Sequence, residues 1–338
     1  MLFYATFISG FDSLVAKLLS HDGMNVVRMM DGAVEFESEA IPTDIPYLNN
    51  IFVVLRRLNH MNLLRLAQDI LSKPIERLNI QRPKSFRIFV SQENELVSLP
   101  GNVMHDLVDE FARLTHSSFS PRQAEAEIWL QSRSEGVAYC LYRLTTVKKH
   151  CAKGELRPEL ATLLCEASEP QADDIVLDPF AGSGSIPFAR SRLRQSFHGI
   201  FASEIRSELV DAIKKKLKGI HNSKMQRSFF VRQQDFLSNT FQSDYFTTII
   251  TDPPWGIYEP ISADFYPSVL KEFARLIKPN GRLILLTAYP GVSGIMPPQF
   301  KPITEYHILV SGQKATVFLM EKIVLINKYF TQTNGINL

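Results

Sequence analysis

From about residue 175 onward, short apolar runs alternate with amphipathic stretches, and this alternation limits the fold more than any other feature. Asp174-Ile175-Val176-Leu177 is a short apolar run that ends in Asp178 and a glycine turn. Further strand candidates cover residues 197–202, ending near Glu204, and residues 229–231, ending toward Asp235. Residues 245–251 run straight into Asp252, and residues 282–287 supply a fifth strand. Between residues 206 and 220, Val210, Ile213, Leu217 and Ile220 recur at helical spacing while the lysines fall largely on the other side. A helix over 265–277 is expected to stop at Pro279-Asn280-Gly281, a strong turn signal. Residues 306–310 and 316–321, flanking Ser311-Gly312-Gln313-Lys314, predict an antiparallel hairpin. Such a series predicts a parallel sheet wound with helices, with an antiparallel pair at its edge.

The first half has a different texture. Strand-like pieces at residues 2–8, 33–36, 86–90, 126–131 and 137–144 alternate with amphipathic helices near 12–21, 60–71 and 103–115. The mixture predicts an α+β unit rather than a second doubly wound sheet. Residues 75–82 carry two arginines and a glutamate with no clear period and predict a connector, and residues 145–157 predict a linker into the second half. No internal repeat or low-complexity segment is evident.

At 338 residues the chain exceeds one ordinary domain, and 45% hydrophobic with 21% charged residues is the balance of a soluble globular protein. No run reaches the roughly eighteen apolar residues of a membrane span. Met1-Leu2-Phe3-Tyr4 has no basic region before it and no cleavage site after it, so it predicts a strand rather than a signal peptide. Cys140, Cys151 and Cys165 are too few and too dispersed for a disulfide framework or a metal cluster, which predicts a reduced, cytoplasmic protein. Net charge is only +2, with −1 over residues 1–150 and +3 over the remainder. Basic residues cluster at Lys148-Lys149-His150 with Lys153 and Arg157, at Arg190, Arg192 and Arg194, and at Lys214-Lys215-Lys216 with Lys218. These are either phosphate contacts or solvated helix faces.

Two loops carry chemistry. Asp178-Pro179-Phe180-Ala181-Gly182-Ser183-Gly184 follows a strand and opens a helix. Its glycines permit a sharp turn and close approach of a ligand, and helix N-terminal amides nearby can receive a carboxylate. A nicotinamide fingerprint would need a glycine where Pro187 stands, and no Gly-Lys-Ser/Thr follows to make a Walker loop. Glu204, 26 residues after Asp178 and at the end of the second strand, is placed to accept from ribose hydroxyls, or to sit as a surface acid at a helix start. Asp235 could accept from an adenine amino group with Phe236 packing on the ring, or could cap the next turn.

The discriminating loop is Thr251-Asp252-Pro253-Pro254-Trp255-Gly256 at the end of the fourth strand. Two prolines remove backbone donors and fix φ, leaving a rigid loop of acceptors. The Asp252 carboxylate and the Pro253 carbonyl can take both N–H bonds of an exocyclic base amine and aim its lone pair at a methyl donor. Trp255 can stack on a base that has left its helix. Methyl transfer then gains from positioning and electrostatics. A cytosine C5 mechanism needs a cysteine nucleophile, and none lies near either loop; metal-ligand spacings are also missing.

Leu156-Arg157-Pro158-Glu159-Leu160-Ala161, then DPFAGSGSIP, SEI, QQDF, TDPPWG and the Lys278-Pro279-Asn280-Gly281 turn resemble the catalytic domain of THUMP-domain RNA guanine-N2 methyltransferases over about residues 155–322. The resemblance implies an α/β fold: a class I Rossmann-like methyltransferase domain with a seven-stranded sheet, preceded by an α+β ferredoxin-like and THUMP-like RNA-binding region. Implied boundaries are 1–75 for the ferredoxin-like module, 76–147 for the THUMP-like module, 148–325 for the methyltransferase domain and 326–338 for a tail. The implied cofactor is S-adenosyl-L-methionine, held by Leu156, Arg157, Pro158, Asp178, Phe180, Ala181, Gly182, Ser183, Gly184, Glu204, Ile205, Asp235, Phe236 and Asp252. Asp252, Pro253, Pro254 and Trp255 are the implied catalytic residues. The implied partner is RNA, tRNA ahead of rRNA, with no metal and no membrane. Many members have Cys in place of Ala181 and Tyr in place of Trp255. Because DPPW also occurs in adenine-N6 methyltransferases, adenine in RNA or DNA is the alternative target. A non-catalytic RNA-binding protein of the same fold is a third reading.

Overall fold

A computed structural model describes residues 1–42, 44–73, 75, 82–145, 155–220, 222, 226–257 and 260–324. The chain divides into two compact units, Met1–Lys149 and His150–Leu338. Most of the expected connector over 75–82 and linker over 145–157, Cys151, the basic group Lys148, Lys149, His150 and Lys153, and the expected tail lie outside the described residues.

The first unit holds the strands β1 (Leu2–Thr6), β2 (Asn25–Met30), β3 (Ala33–Glu37), β4 (Asn50–Leu58), β5 (Ser85–Gln92), β6 (Glu95–Leu96), β7 (Ser118–Phe119), β8 (Ala126–Arg133) and β9 (Val137–Arg143). Its helices are α1 (Asp12–His21), α2 (Leu63–Ser72) and α3 (Gly101–Thr115). The strands form one mixed sheet in the order β2-β3-β1-β4-β9-β8-β5-β6, with β7 beside β5. Sequence pattern did not single out β2 or β4. The omission of β4 matters, because it pairs with β1 on one side and β9 on the other and so joins the two expected modules into one sheet. Its apolar start, Ile51-Phe52-Val53-Val54, gives way to Arg56 and Arg57, which satisfy their charges on Asp69 and Glu35. Leu66, Ile70, Leu107 and Phe111 of α2 and α3 bury against Phe86, Ile128, Leu130 and Cys140 of the sheet.

The second unit contains α4 (Pro158–Ala167), β10 (Ile175–Asp178), α5 (Ser185–Arg192), β11 (Gly199–Glu204), α6 (Ser207–Lys218), β12 (Phe229–Gln233), β13 (Phe246–Thr251), α7 (Phe265–Leu276), β14 (Ile277–Thr287), β15 (Phe300–Val310) and β16 (Gln313–Lys322). Seven strands form one sheet in the order β12-β11-β10-β13-β14-β16-β15. The first five are parallel, and β16 runs antiparallel to both β14 and β15. This is the expected class I methyltransferase architecture. Central strands carry consecutive apolar residues, Val176-Leu177 and Ile249-Ile250 among them, all buried, as in a sheet covered on both faces. Tyr266, Val269, Leu270 and Phe273 form the buried stripe of α7, as its spacing predicts.

Two boundaries differ from the sequence expectation. The strand expected to begin at Arg282 begins at Ile277, and Lys278-Pro279-Asn280-Gly281 is a bulge within it. Phe246 pairs with Ile277 while Thr248 pairs with Arg282. Asn280 takes φ 62°, and a Cβ on Gly281 would stand 2.7 Å from the Thr247 carbonyl oxygen, so only glycine fits there. The hairpin turn is two residues rather than four: Val310 pairs with Gln313, and Ser311 and Gly312 take φ 51° and 82°.

The chain order reverses across β10, which lies between β11 and β13. At such a switch point the loops leaving adjacent strands turn to opposite faces and open a crevice at the carboxyl ends. Both chemistry-bearing loops leave from that crevice.

Candidate active site

Asp178 ends β10 and is 1% exposed. Its Oδ1 accepts from the Phe180 amide (3.3 Å) and from Thr251 Oγ1 of the neighbouring strand (3.0 Å). Burial pushes its carboxyl up to about 8, against these two bonds and with help from the negative charges of Asp252 and Glu204. Thr251 is fully buried and ties the two strand ends together.

The loop after β10 is tight. Gly182 and Gly184 take φ 53° and 85°, and Gly184 is the residue before α5. Glu204, 6% exposed at the end of β11, reaches back across the crevice. Its Oε2 accepts from the Gly182 amide at 2.9 Å, and its Oε1 from the Arg206 amide and Nε. The acid therefore clamps the glycine loop as well as facing the crevice. Ala181 donates its amide to the Ser203 carbonyl. Ser183 Oγ donates to Glu155 Oε1 (3.2 Å), and Lys216 Nζ donates to the Ser183 carbonyl (3.2 Å). Glu155 and Lys216 were missed as members of this group. Glu155 draws the segment Leu156-Arg157-Pro158, which leads into α4 with Pro158 at its first turn, against the glycine loop.

Two other expected positions behave differently from their ligand-facing reading. Asp235 is exposed and caps the 3-10 turn Phe236–Ser238, accepting from the Leu237 amide at 3.1 Å. Phe236 is 2% exposed and packs edge-on to Phe180 and against Phe273, so its ring belongs to the core. The apolar groups left open beside these strand ends are Ile205, 60% exposed, and Leu237, 45% exposed. Leu237 has no sequence signal beyond following Phe236.

The basic cluster at Arg190, Arg192 and Arg194 is corrected in one member. Arg190 is fully buried, paired with Asp174 at 3.1 Å and donating to the carbonyls of Gln171, Gln195 and Ser196, so it holds the fold and touches no phosphate. Lys214, Lys215 and Lys218 lie on the exposed side of α6.

Asp252 follows β13 directly. Its Oδ1 accepts from Trp255 Nε1 at 2.7 Å, and burial pushes its carboxyl up to about 7 while the indole bond pulls it down. Pro253 is buried and Pro254 exposed. The Pro254 carbonyl accepts from the Tyr266 hydroxyl (3.2 Å), which also pairs with Thr287 Oγ1 (2.6 Å). The Tyr266 ring stacks on Tyr289 with centroids 4.2 Å apart. A buried tyrosine on α7 thus pins the loop from below, a role that helical periodicity reads only as core.

Among the described residues no group of three or more His, Cys, Asp or Glu could hold a metal ion, and no helix is long and apolar enough to cross a membrane. Cys140 and Cys165 are buried, and burial pushes both thiols up, away from the thiolate.

Residues 145–290 match the UPF0020 family model, described as RMKL-like, methyltransferase domain. The matched residues include both the glycine loop after β10 and the Pro-Pro loop after β13. Among solved structures, TrmN from Thermus thermophilus is similar with a TM-score of 0.78 at 21% identity, over 95% of this chain and 99% of that one. A predicted N6-adenine-specific DNA methylase from Listeria monocytogenes is similar with a TM-score of 0.69 at 15% identity, over 94% and 95% of the two chains. SMU.472, solved as a complex with SAH, is similar with a TM-score of 0.69 at 12% identity, over 96% and 99%. At these identities the likeness is one of fold, and it spans both units. Comparison with curated proteins gives no match.

Proposed function

We propose that this protein is an S-adenosylmethionine-dependent RNA methyltransferase that modifies an exocyclic base amine, guanosine N2 in tRNA foremost. The observation that carries the reading is the Asp252-Pro253-Pro254-Trp255 loop, leaving β13 at the switch point with Asp178 tied to its root through Thr251.

The acids fit this cofactor. Asp178, Glu204 and Asp252 gather at one crevice, and burial leaves Asp178 and Asp252 short of positive partners, with carboxyls pushed up to about 8 and about 7. A ligand bearing a sulfonium and an ammonium supplies the missing charge, whereas the pyrophosphate of a dinucleotide would be repelled. S-adenosylmethionine supplies a methyl group on its sulfonium. Asp178 and the segment Leu156-Arg157-Pro158 hold its amino-acid end beside the loop Phe180-Ala181-Gly182-Ser183-Gly184. Glu204 faces its ribose, and Ile205 and Leu237 enclose its adenine beside Asp235. On the other side, Asp252 and the Pro253 carbonyl accept the two N–H bonds of the amine, which frees its lone pair for attack. Trp255 stacks on the base. Asp252, titrating near neutrality, is matched to hold the proton that the nitrogen gives up.

The choice of RNA rests on the first unit, read as ferredoxin-like over 1–75 and THUMP-like over 76–147, and that of tRNA on the family resemblance. Adenine N6 is the second reading. Trp255, in place of the tyrosine common in guanine enzymes, and the description of the Listeria relative favour it. Incubating purified protein with tRNA, rRNA and DNA and labelled S-adenosylmethionine, then identifying the modified nucleoside by mass spectrometry, separates the readings. N2-methylguanosine in tRNA is expected. N6-methyladenosine selects the alternative, and failure to bind S-adenosylmethionine in calorimetry would leave a non-catalytic RNA-binding protein.

A further inference from the structure

Trp255 does something that stacking does not require: among the described residues it is the hydrogen-bond donor that Asp252 has. We propose that the Trp255 indole N–H, through its 2.7 Å bond to Asp252 Oδ1, fixes the orientation and the ionised state of the carboxylate that receives the substrate amine, leaving Oδ2 free to accept from it. The inference rests on the reading of Asp252 as the amine acceptor. Trp255 is in this sense a positioning residue in addition to any contact its ring makes with a base.

Three physical points carry it. At 2.7 Å the N–H···O bond is at the short end of its range and ties one carboxyl oxygen to the indole edge. A neutral carboxylic acid would present an O–H to the amine and lose the acceptor that orients it. The neighbouring groups are the acids Asp178 at the end of β10 and Glu204 at the end of β11 and the phenol of Tyr266 on α7, and no Lys or Arg among the described residues pairs with Asp252. The indole bond therefore stands alone against burial in holding the charge. An indole can offer a ring face to a base and an edge N–H to a neighbouring acid at once. Phenylalanine offers only the face, and the hydroxyl of tyrosine projects from the far end of its ring.

The test has two arms. The chain has two tryptophans, so Trp129→Phe leaves Trp255 as the only indole emitter. In that protein, without substrate, emission should change in a single step between about pH 6 and pH 8, and adding Asp252→Asn should abolish the step, where the step is placed by the titration of Asp252. A flat profile overturns the inference whatever the enzyme methylates. In the second arm, Trp255→Phe keeps a stacking ring. Its methylation rate should fall about tenfold at pH 6.5, with the acid limb of the pH profile moved up by about one unit and most activity recovered at pH 9. A uniform loss at every pH with an unmoved limb would reduce Trp255 to stacking. Cofactor affinity measured by calorimetry confirms that the variant is folded. If wild-type protein methylates no nucleic acid, the proposed function fails, and the fluorescence arm still decides the bond.

Discussion

Asp174 and Asp178 stand at opposite ends of β10, both buried, and the fold treats them in opposite ways. Asp174 receives the fully buried Arg190 guanidinium, the Gln171 amide and Thr247 Oγ1. Asp178 receives one amide and one hydroxyl, faces two more acids, and is pushed up to about 8. The amino end of the strand is an electrostatically closed structural joint. At the carboxyl end Asp178 is left without a cationic partner among the described residues. Under the proposed function this is where a cationic ligand would bind.

Breaking the closed end should have the largest effect. Asp174→Ala strands Arg190 without its counter-charge in a site with no solvent, and loss of about 3–5 kcal/mol of stability is expected in urea unfolding. A loss below about 1 kcal/mol would show that the carbonyls of Gln171, Gln195 and Ser196 suffice and that the contrast between the two ends is overstated. At the open end the signature reverses. Asp252→Ala should reduce single-turnover methylation by about 10²–10³-fold through loss of amine positioning, a larger loss than any accompanying fall in cofactor affinity. Equal activity would remove the loop from the mechanism.

The open end also makes a prediction about pH. The folded-state pKa values of Asp178 and Asp252 are raised above the ordinary 3.8, to about 8 and about 7. Their contribution to stability is therefore fully present below about pH 4 and is lost as pH rises through 7 and 8, so the cofactor-free protein should melt at progressively lower temperature over that window. Asp178→Asn removes the larger share. It should raise Tm by about 4 °C at pH 8, leave it nearly unchanged at pH 4, and weaken S-adenosylmethionine binding by at least about tenfold. If Tm at pH 8 falls instead, Asp178 is a structural acid like Asp174.

The contrast between the two ends was only half visible in the sequence. The glycine loop, Glu204 and the Pro-Pro loop were legible because turn chemistry and strand-end position are local properties. The pairing of Arg190 with Asp174 was not, since an arginine in a run with Arg192 and Arg194 looks solvated until α5 is docked on the sheet. Tyr266 and Thr251 were hidden for the same reason. Each sits where periodicity explains it as core, and only tertiary packing turns its hydroxyl toward Pro254 or Asp178. In the first unit β4 escaped because its second half carries Arg56, Arg57 and partly exposed positions. Its partners β1 and β9 lie far off in sequence. The turn at Lys278-Pro279-Asn280-Gly281 was recognised by its chemistry, but a bulge and a true chain break use the same residues.

The smallest effect expected is the one that sharpens the open end most finely. Asp235 borders the crevice, yet its carboxylate is committed to the Leu237 amide at 3.1 Å. Ser at this position can cap the 3-10 turn as well as Asp, whereas Ala cannot, and a lost cap costs about 1 kcal/mol. If Asp235 only caps, Asp235→Ser should bind S-adenosylmethionine within about twofold of wild type while Asp235→Ala loses roughly that 1 kcal/mol of stability. If its second oxygen reaches the adenine amino group, Asp235→Ser and Asp235→Ala should weaken the cofactor alike, by about five- to tenfold, the loss of one hydrogen bond to a charged acceptor. Calorimetry on the two variants therefore tells whether the deficit of charge partners at the carboxyl ends extends to β12 or stops at Glu204 on β11.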